Sequence, residues 1–180
     1  MIVENILCLL KFQPKPLEHY GKYALSITIP ILLVMSLAFG FFVPIDPTIS
    51  TDTNIAIHLI SIPIASVCGS LFFKYWLGRR QKIFTFQALF NVLILASIVN
   101  IIPLEFLDIN TTLYWVLFIA LLCYSFAIVI FMMARGAEVS LGYAISGSLI
   151  AFVIVIILAV LLIFALIALG LMTLPPVPSA

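Results

Sequence analysis

Uncharged apolar stretches alternate with short polar gaps from Ala24 onward. The first four stretches are each close to the ~20 residues that cross a ~30 Å hydrocarbon core. The pattern predicts five transmembrane helices, over Ala24 to Val43, Ile55 to Leu77, Ile83 to Ile102, Thr112 to Ala134 and Leu141 to Thr173. A turn at Val43-Pro44-Ile45-Asp46-Pro47 separates the first two, and Pro103 ends the third because proline lacks the amide hydrogen a helix needs. The last stretch would be ~50 Å long at ~1.5 Å per residue, so it must tilt, bend or start in the headgroup zone. Ser140, Gly142, Ser146, Gly147 and Ser148 make its first turns comparatively polar and mark that interfacial start. Ahead of the spans, Ile2 to Phe12 set apolar residues around Glu4, Asn5 and Lys11, which predicts a short amphipathic interfacial helix stopped by Gln13-Pro14-Lys15-Pro16. The expected fold is an all-α polytopic membrane protein, with an N-terminal segment over 1–22, a membrane domain over 23–173 and a tail over 174–180.

Charge adds an orientation. All eight Lys and Arg fall in alternate gaps: Lys11, Lys15 and Lys22 before the first span, Lys74, Arg79, Arg80 and Lys82 between the second and third, and Arg135 between the fourth and fifth. The other gaps hold only acids, Asp46 and Asp52, then Glu105 and Asp108. Loops rich in Lys and Arg stay cytoplasmic, so the N-terminus is expected inside and the C-terminus outside. Tyr20, Tyr23, Trp76, Tyr114 and Trp115 sit near the span ends, at the headgroup level that amphipathic rings prefer.

Composition narrows the function classes. The chain is 65% hydrophobic and 8% charged, with a mean hydropathy of +1.35, far from soluble proteins. A net charge of +1 offers no footprint for nucleic acid. Cys8, Cys68 and Cys123 show no CxxC spacing and are expected as free thiols. The N-terminus does not read as a signal peptide, since Glu4 and Asn5 interrupt its apolar run and no small-residue cleavage site follows. The first span is expected to serve as the insertion signal.

Apart from Lys74 in the last turn of the second span, the spans hold no Asp, Glu, Lys or Arg, the usual marks of ion pathways and proton relays. His58 admits two readings, a proton or ligand contact and a packed histidine hydrogen-bonded near the interface. Gln87 and Asn91 share a face of the third span, with Asn100 further along, and such amides either line a polar path or hydrogen-bond between helices. Small residues recur at a spacing of four, as Ser66 with Ser70, Ala65 with Gly69, Gly142 with Ser146 and Gly147 with Ala151, which lets helix backbones approach closely. Lys74, Arg79, Arg80 and Lys82 serve topology and are also candidate contacts for anionic lipid headgroups. His19 and His58 are predicted on opposite sides of the bilayer, and no HExxH, GxSxG, SxxK or phosphate-binding glycine loop occurs, so neither a metal, a cofactor nor a catalytic residue is expected.

Three segments carry a resemblance: Lys11-Phe12-Gln13-Pro14 before the first span, Gly78-Arg79-Arg80-Gln81-Lys82-Ile83-Phe84-Thr85-Phe86-Gln87-Ala88-Leu89 entering the third, and Arg135-Gly136-Ala137-Glu138-Val139-Ser140-Leu141-Gly142-Tyr143-Ala144 before the fifth. With the span order, they resemble the Yip domain family of five-span membrane proteins, named for interaction with Ypt/Rab GTPases. Eukaryotic members carry a longer cytosolic N-terminal region for partner binding, so the resemblance implies a compact bacterial-type member of the inner membrane rather than a Rab partner. The expected role is non-enzymatic, with the bilayer and other membrane proteins or further copies of this chain as partners. A small oligomeric permease or channel is the alternative, and a lipid-handling protein a third reading.

Overall fold

A computed structural model describes residues 2–43, 49–98 and 112–170 of the chain. The regular elements among the described residues are helical: α1 (Ile2–Leu10), α2 (Leu17–Tyr20), α3 (Leu25–Phe42), α4 (Thr51–Gly78), α5 (Phe86–Ser97), α6 (Thr112–Phe131) continued by a π turn (Met132–Gly136), and α7 (Leu141–Ala168). Four of them, α3, α4, α6 with its π turn, and α7, are long and apolar enough to cross a membrane, which fits an integral membrane protein. Helix α5 has 12 described residues, and the expected exit of its span at Ile102 and Pro103 lies outside the described residues.

Capping side chains, which hydropathy does not register, set several boundaries. Ser50 Oγ accepts the Thr53 amide hydrogen at 3.3 Å, Thr85 Oγ1 that of Ala88 at 3.2 Å, and Ser140 Oγ that of Tyr143 at 3.4 Å. As a result α4 starts at Thr51, about a turn before the apolar stretch at Ile55, and α5 starts at Phe86 rather than Ile83. Helix α7 stops at Ala168, short of Thr173, because Gly170 turns left-handed (φ 70°) and its amide bonds to Ile167 O at 2.9 Å. The expected tail over 174–180 lies outside the described residues. A regular helix to Ala134 is likewise replaced by the π turn, in which neighbouring Met132 and Met133 are both buried and Arg135 Nη1 reaches Phe12 O at 3.0 Å.

Helix α5 forms the centre. Its Leu89, Val92, Leu95 and Ala96 join Phe73 and Leu77 of α4, Ile128 of α6 and Ala144 of α7 in one buried cluster, while Phe90 and Ile94 pack on Leu32 and Met35 of α3. The N-terminal segment, whose first helix is expected to lie in the interface, contributes Leu9, Leu17 and Tyr20 to the same cluster. Tyr124 donates its hydroxyl hydrogen to Leu10 O, and Phe12 meets the Tyr124 and Phe131 rings edge-on at 5.3 and 5.1 Å. Amphipathicity is the same whether the apolar face meets lipid or protein, and here much of it meets the bundle, leaving Val3 and Leu7 exposed.

Three turns gather at this end of the bundle, and each closes a helix with the same device. Phe12 (φ 53°), Gln81 (φ 60°) and Glu138 (φ 51°) are left-handed, and the next amides, of Gln13, Lys82 and Val139, bond back to Cys8 O, Leu77 O and Ala134 O at 2.9, 3.3 and 3.0 Å. An L-residue in this conformation costs about 1–2 kcal/mol. Gln81 is exposed, with no side-chain hydrogen bond among the described residues, so Gln81→Gly is expected to stabilise the fold by about 0.5 kcal/mol after the added unfolded-chain entropy. Phe12→Gly should destabilise it instead, because the ring contacts outweigh the relief. Denaturant midpoints in detergent measure both changes.

Candidate functional site

Besides buried hydroxyls such as Thr28, Ser36, Ser70, Ser125 and Ser148, the interior holds two pairs of amide and imidazole side chains at helical spacing, one at each end of α3. On α5, Asn91 Nδ2 donates to Tyr20 O at 2.8 Å and Tyr23 O at 3.0 Å, Asn91 Oδ1 accepts from Thr28 Oγ1 at 2.8 Å, and Gln87 Nε2 donates to Tyr23 O. On α4, Asn54 Nδ2 donates to Gly40 O at 2.6 Å and Val43 O at 3.1 Å, while His58 Nε2 lies 3.2 Å from Val43 O. Both pairs reach backbone carbonyls beside the two ends of α3, where the regular helix ladder does not supply every donor. Asn100 lies outside the described residues.

The small residues divide into contacts and open surface. A Cβ on Gly147 would stand 2.6 Å from Trp76 Nε1, so the indole is laid directly on the α7 backbone, beside buried Ala144 and Ala151. Gly69 comes within ordinary contact of Leu93, with a Cβ position 3.5 Å from Leu93 Cδ1. Ser66 and Ser70 bond back along their own helix, to Ile62 O at 2.8 Å and Ser66 O at 2.7 Å, and Ala65 is half-buried. Gly142 and Ser146 face outward. Gly40, which the spacing did not single out, makes a close approach, its Cβ position 2.6 Å from Ile55 Cα.

At the basic end, the close of α4 and the start of α7 form a shelf. Phe72, Trp76 and Tyr143 stack in sequence, with centroids 5.8 and 4.9 Å apart. Trp76 Nε1 donates to Tyr143 O at 3.2 Å, and Tyr143 returns its hydroxyl hydrogen to Trp76 O. Arg79 lies over the Trp76 ring at 5.2 Å and Arg80 over the Tyr143 ring at 4.9 Å, each a cation–π contact that orients the guanidinium. Trp76, Arg79, Arg80, Tyr143 and Ser146 line a cleft of about 430 Å³. A second hollow of about 260 Å³ continues it past Lys82, Glu138 and Ser140, where Lys82 Nζ pairs with Glu138 at 3.0 Å. Of the expected basic set, Arg79, Arg80 and Lys82 are thus brought together, and Lys74 stands exposed away from both hollows. Nearby, burial pushes the Tyr20 phenol up to about 12, which fits its place under the N-terminal segment.

Gly147→Leu is expected to expel the indole and break the Trp76–Tyr143 exchange of hydrogen bonds, costing about 1–3 kcal/mol as overpacking does. Intrinsic fluorescence should shift to the red, and the thermal midpoint should fall. Unchanged emission and midpoint would contradict the packing described.

Compared with known proteins, the chain matches no family profile, no curated protein and no solved structure. The likeness to the Yip family thus rests on the residues quoted above. Sequence reasoning missed Asn54, although it precedes His58 by the same spacing of four that joined Gln87 to Asn91. It also missed the meeting of Trp76 with Tyr143, which are 67 positions apart and carry no local signal of each other.

Proposed function

We propose that this chain is a non-enzymatic integral membrane protein that organises other membrane components through helix packing. Five spans with the basic end cytoplasmic and the C-terminus outside, in a bacterial-type inner membrane, complete the proposal, on the plan that the Yip resemblance implies. The observation that carries it is the fate of the interior polar groups. Asn54, His58, Gln87 and Asn91 each meet backbone carbonyls of their own chain, the use of polar side chains that ties helices together rather than lining a path. Of the four long apolar helices α7 is the least covered by the rest of the chain, with Ala144, Gly147, Ser148, Ala151 and Leu166 buried and Leu149, Val153, Ile156 and Val160 exposed.

A photo-crosslinking residue at Ile156 or Val160 tests this in native membranes. Discrete protein adducts, to a second copy or to another membrane protein, are the expected result. Lipid adducts alone, together with solute flux in liposomes reconstituted with the purified protein, would favour the permease reading instead.

A further inference from the structure

We propose that the cleft between the end of α4 and the start of α7 binds the phosphate headgroup of an anionic phospholipid. Arg79 and Arg80 converge on this hollow of about 430 Å³, and among the described residues neither guanidinium is hydrogen-bonded or ion-paired. Their positions are nevertheless set, because Arg79 lies on Trp76 and Arg80 on Tyr143, and those rings are fixed by stacking and by their exchanged hydrogen bonds. Two oriented guanidinium forks with uncommitted N–H groups suit phosphate oxygens, which they can hold through paired hydrogen bonds. The one acid on the rim, Glu138, is held by Lys82 at 3.0 Å, which offsets its repulsion of an anion. The positive end of α7, a 28-residue helix, begins at the same place and adds to the attraction.

A lipid fits better than free phosphate because of what lies below the cleft. Gly142, Ile145, Ser146, Leu149 and Val153 follow one another at helical spacing along an exposed face of α7, so an acyl chain descending from the headgroup meets first small and then apolar side chains. The inference rests on membrane insertion as proposed above, but not on which end is cytoplasmic. Binding in detergent tests it without reference to orientation or to protein partners.

The full chain in phosphate-free detergent is titrated with dioctanoyl phosphatidic acid, dioctanoyl phosphatidylcholine and inorganic phosphate, and bound species are read by native mass spectrometry. Phosphatidic acid is expected to bind at one site, with about a thirtyfold loss in the Arg79→Gln/Arg80→Gln variant, at roughly 1 kcal/mol for each arginine. The Arg79→Lys/Arg80→Lys variant should recover part of that affinity, since it restores charge without the fork. Lys74→Gln, outside the cleft, should bind like the parent. Equal affinity in the glutamine variant, an equal loss in Lys74→Gln, or phosphatidylcholine bound as tightly as phosphatidic acid would overturn the proposal. Inorganic phosphate bound as tightly as the lipid would overturn its assignment to a headgroup.

Discussion

Gly40→Leu is expected to destabilise the protein by about 3 kcal/mol, because α3 and α4 cross where any side chain at this position meets backbone. The Cβ position is 2.6 Å from Ile55 Cα and 3.1 Å from Ile55 Cγ1, so the helices must separate, and overpacking of this kind costs about 1–3 kcal/mol. Separation also strains the 2.6 Å hydrogen bond from Asn54 to Gly40 O, which places the change at the upper end of that range. Gly142→Leu is the matched control, since nothing lies within 4 Å of its Cβ position, and surface changes of that sort stay within about 0.5 kcal/mol. Unfolding in mixed detergent compares the two. Equal losses would mean that the α3–α4 crossing is not the tight contact described.

Asn91→Leu should cost about 2 kcal/mol. It removes the acceptor of the buried Thr28 hydroxyl, leaving that group unpaired, and takes away one of the two donors to Tyr20 O, which keeps only the Tyr23 amide at 3.3 Å. Tyr23 O retains Gln87 as its donor. His58→Leu removes a contact to a carbonyl that Asn54 already serves at 3.1 Å, so its cost should stay near the ~0.6 kcal/mol typical of hydrogen bonds between membrane helices. Thermal midpoints of the two variants, measured side by side, check the order. A larger loss for His58→Leu would indicate a role for the imidazole beyond the carbonyl it faces.

The contrast between these residues also shows what the sequence could reveal. Apolar length, read against the thickness of a bilayer, was enough to locate α3, α4, α6 and α7 within a few residues. The errors fell where helix ends are decided by single hydroxyls or by backbone handedness. Ser50 and Thr85 moved two helix starts and Gly170 ended α7, and all three signals were present locally but outweighed by hydropathy. Gln87 and Asn91 were legible as one face, whereas their acceptors, backbone carbonyls of an irregular elbow, leave no mark in side-chain identity. The docking of α1 was illegible for a related reason, because an apolar face does not specify what will cover it. The basic cluster was legible as charge; its division into Arg79 and Arg80 over aromatic rings, Lys82 paired with Glu138, and Lys74 apart required the fold.

Cysteine accessibility decides whether the proposed five-span bundle has its basic end in the cytoplasm. With Cys8, Cys68 and Cys123 replaced, single cysteines are placed at Gln81 and at Asp108, and intact cells are exposed to an impermeant thiol reagent. Labelling is expected at position 108 from outside, and at position 81 only after the membrane is opened. The reverse pattern would contradict the orientation, and labelling of both positions from the same side would contradict the crossing between them and with it the five-span plan.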